Sequence, residues 1–129
     1  MAKKNLRHIP IYKKALELCY MSREIVSYVS LNKDLLHLYK SNSLRDSIAD
    51  ALLTDTILIP QKIAKAEYSV SNTERMEQVS YINIMIRNMN SYCLGLEKDG
   101  VKELEYINLL RSEIKSFRQY FKKWKTAMR

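Results

Sequence analysis

Glycine, proline and cysteine are scarce in this chain of 129 residues, and each scarcity excludes a class of protein. Two glycines and two prolines are too few for the tight turns of an all-β fold. Two cysteines, Cys19 and Cys93, cannot build a disulfide framework, so we expect a reducing, cytoplasmic location. No apolar run approaches the ~20 residues of a membrane span, and the N-terminal residues lack the apolar segment of a signal peptide.

Positive charge exceeds negative charge, and the excess is concentrated at the two ends of the sequence. Twenty-two Lys and Arg against 14 Asp and Glu give a formal charge of +8. Residues 1–14 carry +5, residues 111–129 carry +6, and the residues between them carry −3. Such an excess predicts an anionic partner, with nucleic acid the first candidate.

Apolar residues recur at steps of three and four in four segments, which predicts helices at about residues 10–29, 44–69, 73–98 and 101–126. Pro10 suits a first helical turn, Ser43 an N-cap, and Ser71 with Glu74 a capping box. Gly100 suits the left-handed residue after a helix. The expected core positions are Ile11, Ala15, Leu18, Ile25 and Val29; Leu44, Ile48, Leu52, Ile59, Ile63, Ala66 and Val70; Val79, Ile82, Ile86, Met89, Cys93 and Leu96; and Ile107, Leu110, Ile114, Phe117, Phe121, Trp124 and Met128.

The four helices and their short connections predict one all-α domain over residues 1–129, an antiparallel up-down-up-down bundle preceded by a basic arm at residues 1–9. The longer connection, about residues 30–43, is expected to hold a short helical turn. In this topology the first helix begins where the fourth ends. The basic termini therefore meet in what we call the basic pole.

The basic pole supplies most of the candidate nucleic-acid-binding residues, and Arg87 on the third helix is added to them. The candidates are Lys3, Lys4, Arg7, Lys13, Lys14, Lys62, Lys65, Arg87, Arg118, Lys122, Lys123 and Lys125. Arg87 follows an apolar patch, and two interpretations remain about equal: an arginine that extends to solvent, or a functional charge.

The sequence gives no sign of catalysis, and we expect no metal or cofactor. His8 and His37 have no other ligand residue at metal spacing, so each is interpreted as a surface histidine. The chain has no glycine-rich phosphate loop. Cys19 and Cys93 have no basic partner in sequence and are interpreted as buried, inert thiols.

Asp55 and Thr56 interrupt the apolar pattern of the second helix, and Pro60 follows four residues after Thr56. Since proline lacks a backbone donor, a kink is expected there. The favoured interpretation is a local adjustment in which the Thr56 hydroxyl or a water compensates for the lost bond. The alternative is a polar notch that packs against another subunit.

The third helix carries a second apolar face, formed by Tyr81, Ile84, Met85 and Tyr92. A helix that is apolar on most sides is buried on most sides, and a lone bundle covers only part of it. We therefore expect self-association through this face. Tyrosines at the boundary between core and surface have two other uses, which are to shield the core and to stack on unpaired bases. They are Tyr12, Tyr81, Tyr92, Tyr106 and Tyr120.

The segment Ile59-Pro60-Gln61-Lys62-Ile63-Ala64 resembles the Ile-Pro-x-Asn-Ile-Ala element of the four-helix-bundle proteins encoded in 23S ribosomal RNA intervening sequences. Residues 71–89, with Tyr81-Ile82-Asn83-Ile84, are similar to the third helix of that family. Ile11-Tyr12-Lys13-Lys14-Ala15 is similar to the opening of its first helix.

Three departures from that family resemble a related branch, the accessory variability determinants of diversity-generating retroelements. Lys62 replaces Asn, Lys65-Ala66 replaces Glu-Gly, and Arg87 replaces a small residue. The branch has two basic residues one turn apart on the third helix; Arg87 matches one, and Asn83 replaces the other. The resemblance implies a basic bundle that assembles as a pentameric barrel, binds DNA or RNA and associates with a reverse transcriptase.

Two classes of function therefore remain open from the sequence. The first is a non-catalytic nucleic-acid-binding accessory protein, with binding that is independent of sequence and sensitive to salt. The second is a structural or protein-interaction module of the intervening-sequence type, whose basic surface binds an acidic protein.

Overall fold

The structure, a computed structural model, describes residues 5–30 and 43–128. A 3₁₀ turn at Leu6–His8 precedes helices α1 (Pro10–Val29), α2 (Leu44–Tyr68), α3 (Asn72–Lys98) and α4 (Leu104–Ala127). All regular structure in these residues is helical, which confirms the all-α prediction with four helices. The residues outside these ranges include Lys3, Lys4 and His37. The short turn expected at about residues 30–43 also lies outside them, except for its two end residues, Ser30 and Ser43.

Each helix packs against its neighbours in sequence, and α1 also packs against α4. Side-chain contacts show that neighbours run in opposite directions. Near the start of α2, Arg45 binds Asp99 beyond the end of α3, whereas near the end of α2, Lys62 lies over the Tyr81 ring of α3. This arrangement is that of an up-and-down four-helix bundle.

Three of the predicted helix ends have the expected chemistry. Ile9 precedes Pro10 at the first position of α1. The Ser43 and Ser71 hydroxyls accept hydrogen bonds from backbone amides in the first turns of α2 and α3. The capping box is only half formed, because the Glu74 carboxylate accepts a hydrogen bond from Ser69 Oγ rather than from a backbone amide of Ser71.

The end of α3 is a Schellman motif centred on Gly100. Gly100 has φ +88°, its amide donates to the Glu97 carbonyl, and the Val101 amide donates to the Leu96 carbonyl. Val101 is 3% exposed, so the chain turns inward at this point before α4 begins at Leu104. The start of α4 is thus three residues later than the sequence pattern indicated.

The predicted core positions of α1, α3 and α4 are buried, apart from Met128, which is half-buried. The prediction fails at both ends of the α2 pattern. Leu44 is 64% exposed and Val70 is 88% exposed. Leu44 occupies the first position of α2, and Val70 lies in the connection to α3, so neither has a helix packed over it.

Pro60 lies inside α2, which continues on both sides of it. The Thr56 hydroxyl donates to the Leu53 carbonyl at 2.9 Å, so it does not compensate for the hydrogen bond that Pro60 removes. Asp55 is half-buried and accepts a hydrogen bond from the Tyr92 hydroxyl at 3.1 Å. The polar gap in α2 therefore has a partner on α3 within the same chain.

Partial burial of Tyr92 beside Asp55 makes the free energy of unfolding depend on pH in the alkaline range. Burial, followed by the Asp55 charge, raises the pKa of Tyr92 from 10.0 to about 12. The folded protein thus holds a proton that the unfolded chain releases first. Stability from this group is present below pH 10 and is lost as pH rises through about 12.

We expect Tyr92→Phe to lower the free energy of unfolding by about 1 kcal/mol at neutral pH, since one hydrogen bond is lost. We also expect the variant to show a shallower loss of stability between pH 10 and about 12. Urea denaturation across this range measures both effects. Tyr20→Phe, at a side chain that is 67% exposed, is the matched control. An unchanged pH profile in Tyr92→Phe would contradict the assignment.

Candidate nucleic-acid interface

The two ends of the described chain meet at one end of the bundle, as the topology requires. Ile9 and Pro10 line an apolar pocket of about 400 Å³ together with Lys123 and Trp124 from the last turns of α4. The Trp124 indole donates to the Glu67 carboxylate of α2 at 2.7 Å. The chain ends therefore converge, but a carboxylate lies among them.

Lys14 is a predicted binding residue whose charge is already paired within the bundle. Its ammonium lies 3.0 Å from the Glu17 carboxylate and 3.1 Å from that of Glu113 on α4. The hydrogen bond that Lys14 donates to Glu17 is the largest influence that raises the pKa of Lys14, and Glu113 acts in the same direction. Lys14 thus links α1 to α4 through an ion pair.

Lys62 and Lys65 line a polar cleft of about 360 Å³ between α2 and α3. The Lys62 ammonium lies 5.0 Å from the centre of the Tyr81 ring, a cation–π distance. Glu74 and Glu77 line the same cleft and balance the two lysines. Its lining has no excess positive charge to attract a phosphate.

Three more of the described residues predicted for the basic pole, Arg7, Lys13 and Lys123, are exposed. Arg7 lies in the 3₁₀ turn, Lys13 lies on α1, and Lys123 lies beside the Ile9–Trp124 pocket. The basic pole stays a prediction, in which the charge of Lys14 is already paired and the lysines of the α2–α3 cleft are balanced by carboxylates.

A more continuous arrangement of cations lies along α4. Arg111 begins a series that repeats at steps of four and three, which places its members on one face of a helix. The four members after Arg111, which we call the basic row, are Lys115, Arg118, Lys122 and Lys125. The row extends over about 15 Å at 1.5 Å per residue. Three of the four side chains are exposed, and Lys125 is half-buried.

The ion pair between Arg111 and Glu97 shows which neighbour this face adjoins. The Arg111 guanidinium lies 2.7 Å from the Glu97 carboxylate of α3. Counting back from Glu97 at steps of three and four gives the facing residues of α3: Leu94, Asn90, Arg87 and Asn83. All four are exposed.

Because α3 and α4 are antiparallel, the Glu97–Arg111 pair also sets their register. Ten residues before Glu97 is Arg87, and ten residues after Arg111 is Phe121. Along the bundle axis, Arg87 therefore lies level with the part of α4 between Arg118 and Lys122. The structure thus places Arg87 beside three predicted α4 cations, and it adds Lys115, which the sequence analysis did not select.

The cations of this surface lack acidic partners among the described residues. No hydrogen bond or ion pair there involves the side chain of Arg87, Lys115, Arg118, Lys122 or Lys125. The nearest carboxylate along the surface, that of Glu97, already binds Arg111. Excess positive charge is therefore available to an anion along the α3–α4 surface.

The spacing of the basic row was present in the sequence. Steps of four, three, four and three from Arg111 to Lys125 are the same signal that identified the apolar faces. Counting cations by segment does not reveal this spacing. Periodicity in the charges would have selected Lys115 and separated Lys123 from the others.

The predicted self-association face of α3 divides into two parts in the structure. Met85 packs against the core and Tyr92 binds Asp55, so both side chains already have partners within the bundle. Tyr81 is 42% exposed and Ile84 is 45% exposed. Of the four predicted residues, only Tyr81 and Ile84 have large exposed areas.

The described residues contain no candidate metal cluster, and of the two cysteines Cys93 is buried whereas Cys19 is half-buried. No group of three or more His, Cys, Asp or Glu side chains lies close enough there to hold a metal ion. Cys93 is fully buried, and burial raises the pKa of its thiol to about 11. None of the described helices is long and apolar enough to cross a membrane.

Comparisons of the chain with protein-family models, with curated proteins and with solved structures found no match. The functional inference therefore depends on the chemistry of the α3–α4 surface and on the sequence resemblance described above.

Proposed function

We propose that this chain is a non-catalytic nucleic-acid-binding protein that contacts phosphates through the α3–α4 surface. The observation that carries the proposal is the basic row, four cations in helical register with no acidic partner among the described residues. Arg87 adds a fifth cation from the facing helix.

The proposed mode of binding is electrostatic. Lys and Arg side chains that neutralise phosphates release condensed counterions, which makes affinity fall steeply with salt. The two exposed amides beside Arg87, those of Asn83 and Asn90, supply hydrogen-bond donors for phosphate or sugar oxygens. This surface offers contacts to a backbone that every sequence shares, so binding is largely independent of base sequence.

The accessory role is proposed from the sequence resemblance. The departures from the intervening-sequence pattern at Lys62, Lys65-Ala66 and Arg87 resemble the accessory variability determinants, and this resemblance supports a partnership with a reverse transcriptase. A bundle that holds nucleic acid without acting on it would then keep template or product near the enzyme.

Replacement of Lys115, Arg118 and Lys122 by Gln tests the proposed site. We expect the triple variant to bind nucleic acid about tenfold or more weakly, since three phosphate contacts are lost. The slope of log affinity against log salt should become shallower by up to about 2.7, at about 0.9 for each lost contact with a duplex. Fluorescence anisotropy at several salt concentrations measures both quantities.

The matched control removes three exposed cations elsewhere: Lys13, Arg23 and Lys102, also to Gln. Its net charge equals that of the first variant, so a general effect of charge would weaken both equally. Equal weakening would remove the α3–α4 surface from the site. Absence of binding by the unmodified protein at low salt would favour the protein-interaction alternative.

We also propose that the chain self-associates through Tyr81 and Ile84, as a pentamer by resemblance. Light scattering at tens of micromolar should give a mass several times that of the 15.2 kDa chain. Ile84→Lys should dissociate the assembly, because a charge then lies in an apolar interface. Leu109→Lys, at a side chain that is 51% exposed on α4, should leave it intact. A monomer in the unmodified protein would contradict the proposal.

A further inference from the structure

We infer that the α3–α4 surface is built for the backbone of double-helical nucleic acid rather than for single strands. The inference rests on the proposed function and narrows its substrate class. The observations behind it are where the aromatic side chains of α3 and α4 lie and the placement of the basic row along one face of a helix.

Proteins that bind single strands without sequence preference combine a basic groove with aromatic rings on which bases stack. On α3, the exposed ring of Tyr81 and the half-buried ring of Tyr92 lie on the side that faces α2. Tyr81 lies under the Lys62 ammonium, and the Tyr92 hydroxyl binds Asp55. Neither ring lies in the α3 row that faces α4.

The tyrosines of α4 likewise lie on the opposite side from the basic row. Tyr106 stacks on Tyr28 of α1, with ring centres 4.7 Å apart and planes 8° apart. The Tyr120 ring lies 5.6 Å from the Lys14 ammonium, also on α1. The remaining aromatic residues of α4 are the core residues Phe117, Phe121 and Trp124.

Among the described residues, the basic row therefore has cations and amides around it but no ring on which an unpaired base could stack. Leu94 is the large apolar side chain of the facing α3 row, at 46% exposed. A single strand would lose conformational freedom on binding to this surface, and it would gain no base stacking to offset that loss.

A duplex suits the same surface for two reasons. Its phosphates are already fixed in space, so a row of cations on a helix meets them without ordering a flexible chain. It also presents one charge per about 1.7 Å of axis, so that about nine phosphates fall within the ~15 Å length of the row. Each neutralised phosphate releases more counterion from B-DNA than from a single strand, about 0.9 against about 0.7.

The test compares duplexes of about 24 base pairs with their separate strands, in DNA and in RNA, by fluorescence anisotropy between about 50 and 300 mM salt. The strands are chosen without self-complementarity. We expect each protein–duplex complex to be at least about fivefold tighter than either strand. Four contacts with duplex DNA predict a salt slope near −3.6. Tighter binding to the DNA duplex or to the RNA duplex would show which of the two nucleic acids the surface prefers.

The variant Tyr120→Leu, at a ring outside the proposed self-association face, separates phosphate contact from stacking. We expect duplex affinity within about twofold of the unmodified protein, because this ring lies on the side of α4 that faces α1, away from the row. Single strands that bind as tightly as duplexes, and lose affinity in this variant, would overturn the inference while leaving the proposed function in place. Binding to none of the four nucleic acids at about 50 mM salt would overturn the proposed function itself.

Discussion

The turn at Gly100 is the constraint on which the arrangement of the candidate site depends. Only five residues, Asp99–Glu103, separate α3 from α4, so the chain must reverse at once. Gly100 supplies the positive φ of +88°, and buried Val101 directs the chain back along α3. Asp99 is held in place by Arg45 at the start of α2. Antiparallel α3 and α4 then bring Arg87 level with the basic row.

Cations in this bundle fall into two groups according to their partners. Lys14 and Arg111 bind carboxylates on neighbouring helices, and Lys62 lies on an aromatic ring. Their contacts join helices within the bundle, and a ligand would have to compete for their charges. The basic row has no such partner in the described residues, so the positive potential there is not offset locally. Exposed cations elsewhere, such as Lys13 and Arg23, also lack a partner in the described residues. The α3–α4 surface is distinguished, more than by the total of +8, by unpaired cations that follow one another along one face of a helix.

Periodicity predicted the helices and most of the core because burial repeats at the same step as the helix. It failed at Leu44 and Val70, since a pattern does not show where the neighbouring helix ends. Periodicity could not predict which charges pair with one another, for a different reason. The partner of Lys14 on α4, Glu113, is 99 residues away in sequence, so only the fold brings the two together. Counting charge by segment therefore does not show which cations are already paired within the bundle.

The most direct measurement is a ¹⁵N–¹H NMR titration of the protein with a duplex of about 24 base pairs at low salt. Shifts should be largest along residues 80–94 of α3 and 111–126 of α4, at positions that share the face of Arg87 and Arg118. Amides on the α1 face around Lys13 and in the Lys62 cleft should change little. The largest shifts at Lys13, Lys62 and Lys123, with none along the basic row, would contradict the assignment of the α3–α4 surface.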